Sequence, residues 1–133
     1  MAQIRVVVFG AAGRVGQEVV RAVTEDPGTV LAGAVDLKAN TETLALPDGS
    51  GSVPFSSDLA AIIDSCKPDV IVDFTIAKAS MPGLRISAPK GVPTVIGATG
   101  FSQADLDETK ELAEKHGVGI FVAPNFALGA VLM

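Results

Sequence analysis

Basic residues are scarce in this chain, with 10 Lys and Arg against 15 Asp and Glu for a net charge of −5. A surface of that sign does not track the phosphates of DNA or RNA, so any phosphate ligand has to be held locally. Cysteine is nearly absent as well. The single Cys66 allows neither an internal disulfide nor a thiolate metal cluster, which suits a reducing compartment. Histidine occurs only as His116. Long apolar runs are missing, and MAQIRVVVFG, with one Arg and a short apolar stretch ending in glycine, does not resemble a secretory leader. Together these absences predict a cytoplasmic protein with neither nucleic-acid nor membrane partners. What is present is enough for a core: 133 residues, 48% hydrophobic and 19% charged, fit one compact domain rather than a disordered chain.

Short β-branched apolar runs alternate with helix-like segments, the pattern of parallel βαβ units. Six runs stand out: Ile4 to Phe9, Val30 to Val35, a weaker one at Val53 to Phe55, Val70 to Phe74, Thr94 to Gly97 and Gly119 to Val122. VVVF, VIVDF and TVIG are apolar without alternation, as strands are when helices cover both faces. The expectation is a Rossmann-like α/β fold, a doubly wound parallel sheet of about six strands in three layers. Gly13 to Thr24 should form the first helix, with Val15, Val19, Val20 and Val23 on one face. Residues 57 to 66 predict a short helix closed by Lys67-Pro68, and Ser102 with Asp105 predicts a capping box opening a helix through Lys115, stopped by Gly117. Residues 38 to 52 are polar and rich in turn formers, and read as a surface loop. The apolar end, Ala127 to Met133, looks like a chain cut short, since a free terminus is normally polar.

Gly10, Gly13 and Gly16 follow a predicted strand and open a predicted helix, the setting of a dinucleotide fingerprint. Gly10 permits the sharp turn, Gly13 lets the backbone approach a pyrophosphate, and Gly16 allows close packing of helix on strand. The helix N-terminus then offers unpaired N–H groups and partial positive charge, so an acidic protein can still hold a diphosphate. The first spacing is G-x-x-G rather than G-x-G, and by itself would equally suit a tight turn. Asp36, at the end of the second strand and about 20 residues beyond Gly16, is where a ribose-binding acid belongs. Its carboxylate would repel a 2′-phosphate, and Lys38 would partly offset that repulsion. NADH is therefore the preferred cofactor expected, with NADPH tolerated.

Four segments, FGAAGRVG (9 to 16), VDFT (72 to 75), GVPTVIGATG (91 to 100) and APNFALG (123 to 129), together resemble the 4-hydroxy-tetrahydrodipicolinate (dihydrodipicolinate) reductases of lysine and diaminopimelate synthesis, in family order across nearly the whole chain. The resemblance implies that Gly10, Ala11, Ala12, Gly13, Arg14 and Val15 hold the pyrophosphate and Asp36 the adenosine ribose. It also implies that Phe74 and Thr75 line the crevice, while Gly97, Ala98, Thr99, Ala123, Pro124, Asn125 and Phe126 enclose the nicotinamide. Residues 1–126 would be the dinucleotide-binding domain and 127–133 the start of a connection to a missing second domain. That domain would bind the dicarboxylate substrate, donate a proton and carry most of a homotetramer's contacts.

Two positions depart from the family pattern. Ala98 stands where a threonine is usual, removing one hydroxyl, and Ala77 stands in place of a proline after the VDFT threonine. No catalytic residue or metal site is expected in this chain. His116, just before Gly117, suits a helix C-terminus, and Cys66 has no paired histidine and reads as packing. Two other readings stay open: a stand-alone dinucleotide-binding or sensing module without catalysis, and a different NAD-dependent oxidoreductase of similar layout.

Overall fold

The computed structural model describes residues 3–98 and 100–123. The elements run β1 (Ile4–Phe9), α1 (Arg14–Glu25), β2 (Thr29–Val35), β3 (Thr43–Ala45), β4 (Ser52–Ser56), α2 (Leu59–Cys66), β5 (Val70–Asp73), α3 (Ala77–Ser87), β6 (Thr94–Ile96), α4 (Gln103–His116) and β7 (Ile120–Val122). They build one sheet in the order β3-β4-β2-β1-β5-β6-β7. All pairings are parallel except that of β3 with β4. Without the edge strand β3 the order is the doubly wound one, with its switch at β1, where the chain leaves one side of the sheet and returns on the other.

Alternation along β1 divides the core. Val6 and Val8 pack with Val20 of α1 and Leu31 and Ala34 of β2. Val7 and Phe9 face the opposite way, onto Leu59, Ile62, Ile63 and Cys66 of α2. Met81 and Leu84 of α3 close over Ile96, with Leu112 of α4 and Ile120 and Val122 of β7 against them. Helices thus cover both faces, and the three-layer α/β fold expected from the non-alternating runs is present.

The local signals differ in how they translate. Around α4 the capping box is complete: the Ser102 hydroxyl accepts from the Asp105 N–H at 3.1 Å, and the Asp105 carboxylate accepts from the Ser102 N–H at 3.0 Å. Gly117 ends the helix at φ 62°. Helix α2 starts later than expected because Asp58 is its N-cap, accepting from the Ala61 N–H at 3.1 Å. In α1, Val19, Val20 and Val23 join the core, but Val15 does not: it is 52% exposed in the first helical turn.

One element departs from expectation and another lies where no element was expected. The 38–52 stretch is not all loop, since Thr43–Ala45 pairs antiparallel with Ser52–Pro54, Leu44 lying opposite Val53. The polar composition conceals it because within the three-residue strand only Leu44 turns toward the core cluster, its neighbours Thr43 and Ala45 being exposed. Residues 77–87 form α3 despite Pro82 in the interior, a residue that usually ends or kinks a helix. Buried Met81 and Leu84 hold it down, and Gly83 sits where the Phe9 ring would be only 2.8 Å from an added Cβ. Gly83 is thus a packing solution that lets α3 lie close to the Phe9 ring. Cys66 has the packing role expected, being buried with its sulfur 2.8 Å from where a Cβ on Gly33 would lie.

Candidate functional site

The carboxyl ends of β1, β2 and β5 converge on a cavity of about 590 Å³ lined by Gly10, Gly13, Asp36, Lys38, Phe74 and Thr75, with Leu37, Ile76, Lys78 and Ala79 completing the wall. This is the crevice at the topological switch, where open α/β sheets bind ligands.

The glycine loop is built almost entirely from backbone. Gly10 turns the chain at φ 92°, and its N–H and that of Ala11 both reach the Val35 carbonyl, at 2.7 and 3.2 Å. The Gly13 N–H closes back onto the Gly10 carbonyl at 3.1 Å, and the Gln17 amide donates to the Ala12 carbonyl at 2.9 Å. Asp36 completes the lock. One carboxylate oxygen accepts from the Ala12 N–H and the other from the Lys38 N–H, each at 2.9 Å. The N–H groups of residues 10 to 13 are therefore spent inside the loop, and those the loop does not use begin with Arg14 and Val15 in the first turn of α1. That turn carries no acidic residue, so its positive end stays uncompensated by its own sequence.

Each glycine meets a different neighbour. A Cβ on Gly10 would lie 3.0 Å from the Thr75 methyl group, so loop and β5 end are in direct contact. On Gly16 it would lie 1.8 Å from the Gly10 carbonyl oxygen, which makes that glycine obligatory for packing. On Gly13, which lines the cavity, it would meet only the Gly10 oxygen at 3.5 Å. Gly13 thus has protein room for a side chain and none of the packing need of Gly16. The space is left to whatever enters the cavity.

The β5 end is held by Asp73, which is buried at 1% exposure. Its carboxylate accepts from the Thr75 N–H at 2.8 Å and the Thr75 hydroxyl at 2.6 Å, while that hydroxyl also lies 2.9 Å from the Ser80 hydroxyl. Burial pushes the Asp73 carboxyl above its ordinary value, and the hydrogen bonds from Thr75 and Ser80 hold it back. The Asp73 carbonyl accepts from the Gly97 N–H at 2.8 Å and the Ile96 carbonyl from the Ala123 N–H at 2.8 Å, so the ends of β5, β6 and β7 are joined in sequence.

Of the expected site residues, Gly10, Gly13, Asp36, Lys38, Phe74 and Thr75 share the cavity. Ala11 and Ala12 border a separate cleft on the α1 side with Gln17, Val20 and Phe55, and the Ala11 side chain is buried in the core. Gly97, Ala98 and Ala123 stand at the ends of β6 and β7, with Ala98 buried at 1% exposure. Thr99, Pro124, Asn125 and Phe126, and the 127–133 segment, lie outside the described residues. His116 ends α4 as expected. Sequence reasoning passed over Leu37, Ile76, Lys78, Ala79, Gln17 and Asp73. A lysine in the first turn of the helix that follows VDFT was the available signal, but it could be used only once 77–87 was known to be that helix. Among the described residues no group of His, Cys, Asp and Glu is placed to hold a metal ion, and no helix is long and apolar enough to cross a membrane.

Comparison with known proteins bears on this geometry. The family model described as dihydrodipicolinate reductase, N-terminus, matches residues 4–126. Over its whole length the chain is 53% identical to a 4-hydroxy-tetrahydrodipicolinate reductase of Dehalococcoides mccartyi, covering 51% of that protein. The dipicolinate-bound dihydrodipicolinate reductase of Paenisporosarcina sp. TG-14 superposes with a TM-score of 0.81 at 35% identity, over 98% of this chain and 51% of that one. An S. aureus homoserine dehydrogenase, with a TM-score of 0.76 at 18% identity over 94% of this chain and 33% of its own, shares the fold alone. The chain spans about half the length of the curated relatives it matches.

Proposed function

The chain belongs to the dihydrodipicolinate reductase family, matching its N-terminal part, and on that premise we propose that it is the NAD(P)H-binding portion of a reductase that transfers hydride to 4-hydroxy-tetrahydrodipicolinate. The observation that carries the proposal is the cavity in which the glycine loop, Asp36 and the Phe74-Thr75 turn meet. Its wall fits a dinucleotide: the open side of Gly13 leaves room that a Cβ would take, and the first turn of α1 presents N–H groups without a carboxylate of its own.

In this reading Arg14 and Val15 bind the pyrophosphate through their N–H groups, while Gly10 and Gly13 give it access. Asp36 has lone pairs left beyond its two backbone bonds, and these accept from the adenosine ribose hydroxyls. NADH is the preferred partner because a carboxylate there opposes a 2′-phosphate. Phe74 and Thr75, held by Asp73, orient the cofactor in the crevice, and Gly97, Ala98, Thr99 and residues 123–126 border the nicotinamide. The cofactor, when bound, supplies the hydride, and the chain supplies binding and orientation. We assign no catalytic residue within it. Residues 1–126 are the nucleotide domain and 127–133 lead toward a second domain, which would bind the dicarboxylate, donate the proton and join a homotetramer. The second-domain assignment rests on the family resemblance, and the cytoplasmic location on the single cysteine and the character of the N-terminal residues.

Titration of the purified protein with NADH, followed by the cofactor's fluorescence, tests the reading. Saturable binding is expected. No binding of NADH or NADPH at near-saturating concentration would overturn it.

A further inference from the structure

One peptide of the glycine loop is held at both of its polar ends. The Gly13 N–H donates to the Gly10 carbonyl at 3.1 Å, and the Ala12 carbonyl of the same peptide accepts from the Gln17 side-chain amide at 2.9 Å. No backbone N–H reaches that carbonyl, so among the described residues the Gln17 amide is its donor. The Gln17 backbone N–H takes the next carbonyl, that of Gly13, also at 2.9 Å. A single residue of α1 thus binds two successive carbonyls of the loop.

These bonds lie on the α1 side of the loop. Ala12 and Gln17 border the cleft they share with Arg21 and Phe55, and neither lines the crevice that Gly10 and Gly13 line. Orientation matters here because a peptide is a dipole. Rotating the Ala12–Gly13 peptide about its axis would exchange its oxygen for its N–H and point the oxygen to the Gly10 side, beside the first turn of α1, where a pyrophosphate is to rest. The residue after that peptide is glycine, which has no Cβ to resist the rotation. Gly13 is also the N-cap of α1 and brings no side-chain bond to the loop, while Ala12 and Gln17 are both exposed, so burial does not fix the peptide either.

We propose that Gln17 is a positioning residue for the nucleotide: its side-chain amide keeps the Ala12 carbonyl turned to the α1 side, and so keeps a partial negative charge away from the pyrophosphate. The proposal rests on the nucleotide-binding reading of the crevice and deepens it. Gln17 does not line the crevice, and its influence passes through the peptide it holds.

The test is the dissociation constant of NADH, measured together with Tm, for the unaltered protein, Gln17→Met and Gln17→Glu. Methionine keeps the length of the side chain and removes the donor without adding charge. NADH is expected to weaken by roughly fivefold, the size of one neutral hydrogen bond, with Tm within about 2 °C of the unaltered protein. Glutamate sets an acceptor against the Ala12 oxygen, so NADH is expected to weaken further, by about tenfold or more. Its charge stands near the N-terminus of α1, whose first turn has no acid, so Tm should be unchanged or higher. Affinity and stability then separate, which a merely structural role would not produce. NADH affinity in Gln17→Met equal to that of the unaltered protein, or a loss of affinity in either variant accompanied by a fall of several degrees in Tm, would overturn the proposal and leave the nucleotide site standing. Failure of the unaltered protein to bind NADH would overturn both.

Discussion

Two glycines of one motif, three residues apart, should respond to the same substitution in opposite ways. An alanine at Gly16 places its Cβ 1.8 Å from the Gly10 oxygen, 2.7 Å from the Gly10 carbonyl carbon and 3.0 Å from the Ala11 Cα. All three are backbone atoms, so no rotamer change relieves the clash, and α1 must move off the loop. Overpacking of this kind costs about 3 kcal/mol or more, at the upper end of the usual range. The better helix propensity of alanine returns about 1 kcal/mol. The net loss of about 2 kcal/mol lowers Tm by roughly 8 °C in a domain of this size. An alanine at Gly13 meets only the Gly10 oxygen at 3.5 Å, and at an N-cap position it costs within about 1 kcal/mol. On the proposed reading its methyl group stands instead where the pyrophosphate would approach, so NADH affinity should fall by about tenfold or more. Thermal unfolding and NADH titration of both variants are the assays. The reasoning is refuted if Gly16→Ala leaves Tm unchanged, or if Gly13→Ala lowers it as far as Gly16→Ala does.

Other outcomes follow from the same geometry. Asp36→Ala removes the bond from the Ala12 N–H that ties the end of β2 to the loop and the local bond from the Lys38 N–H, and on the proposed reading also the ribose acceptor, so NADH should weaken by about tenfold and any preference over NADPH should narrow, measured by parallel titrations. Asp73 holds its proton more tightly folded than unfolded, so its ionisation opposes folding above the folded pKa, and that cost is relieved as pH falls through the folded pKa toward 3.8. Relative to Asp73→Asn, the unaltered protein should therefore gain unfolding free energy on acidification across that window; a difference that stays flat with pH would contradict the burial argument. Gly33→Ala pushes a methyl group against the Cys66 sulfur at 2.8 Å and the Ile62 methyl at 3.2 Å, costing about 1–3 kcal/mol. Adding Cys66→Ala should recover part of that loss in denaturant unfolding, and strictly additive losses would mean the two side chains do not compete for the same space.

Much of the fold was legible because its signals are local. The non-alternating runs of β1, β5 and β6, the Ser102–Asp105 box and the αL glycine at 117 each depend on a few adjacent residues, and each appears where its chemistry requires. The glycine loop was legible for the same reason. Strand β3 and helix α3 were not. Leu44 belongs to a strand only because Val53 lies opposite it, and 77–87 stays helical through Pro82 only because Met81 and Leu84 are buried.

The sequence by itself therefore determined the class of fold and the loop on which a dinucleotide would rest, since turn geometry, capping and apolar runs are properties of neighbouring residues. Only the tertiary structure decided which remote side chains share the crevice. Lys78 and Ile76 are some 40 residues from Asp36 along the chain, and they reach the same cavity because β5 pairs beside β1 and delivers the start of α3 to the mouth of the switch point. Which strand lies beside which is decided by the packing of the whole sheet through its crossover connections, and the residues of β5 alone do not encode it.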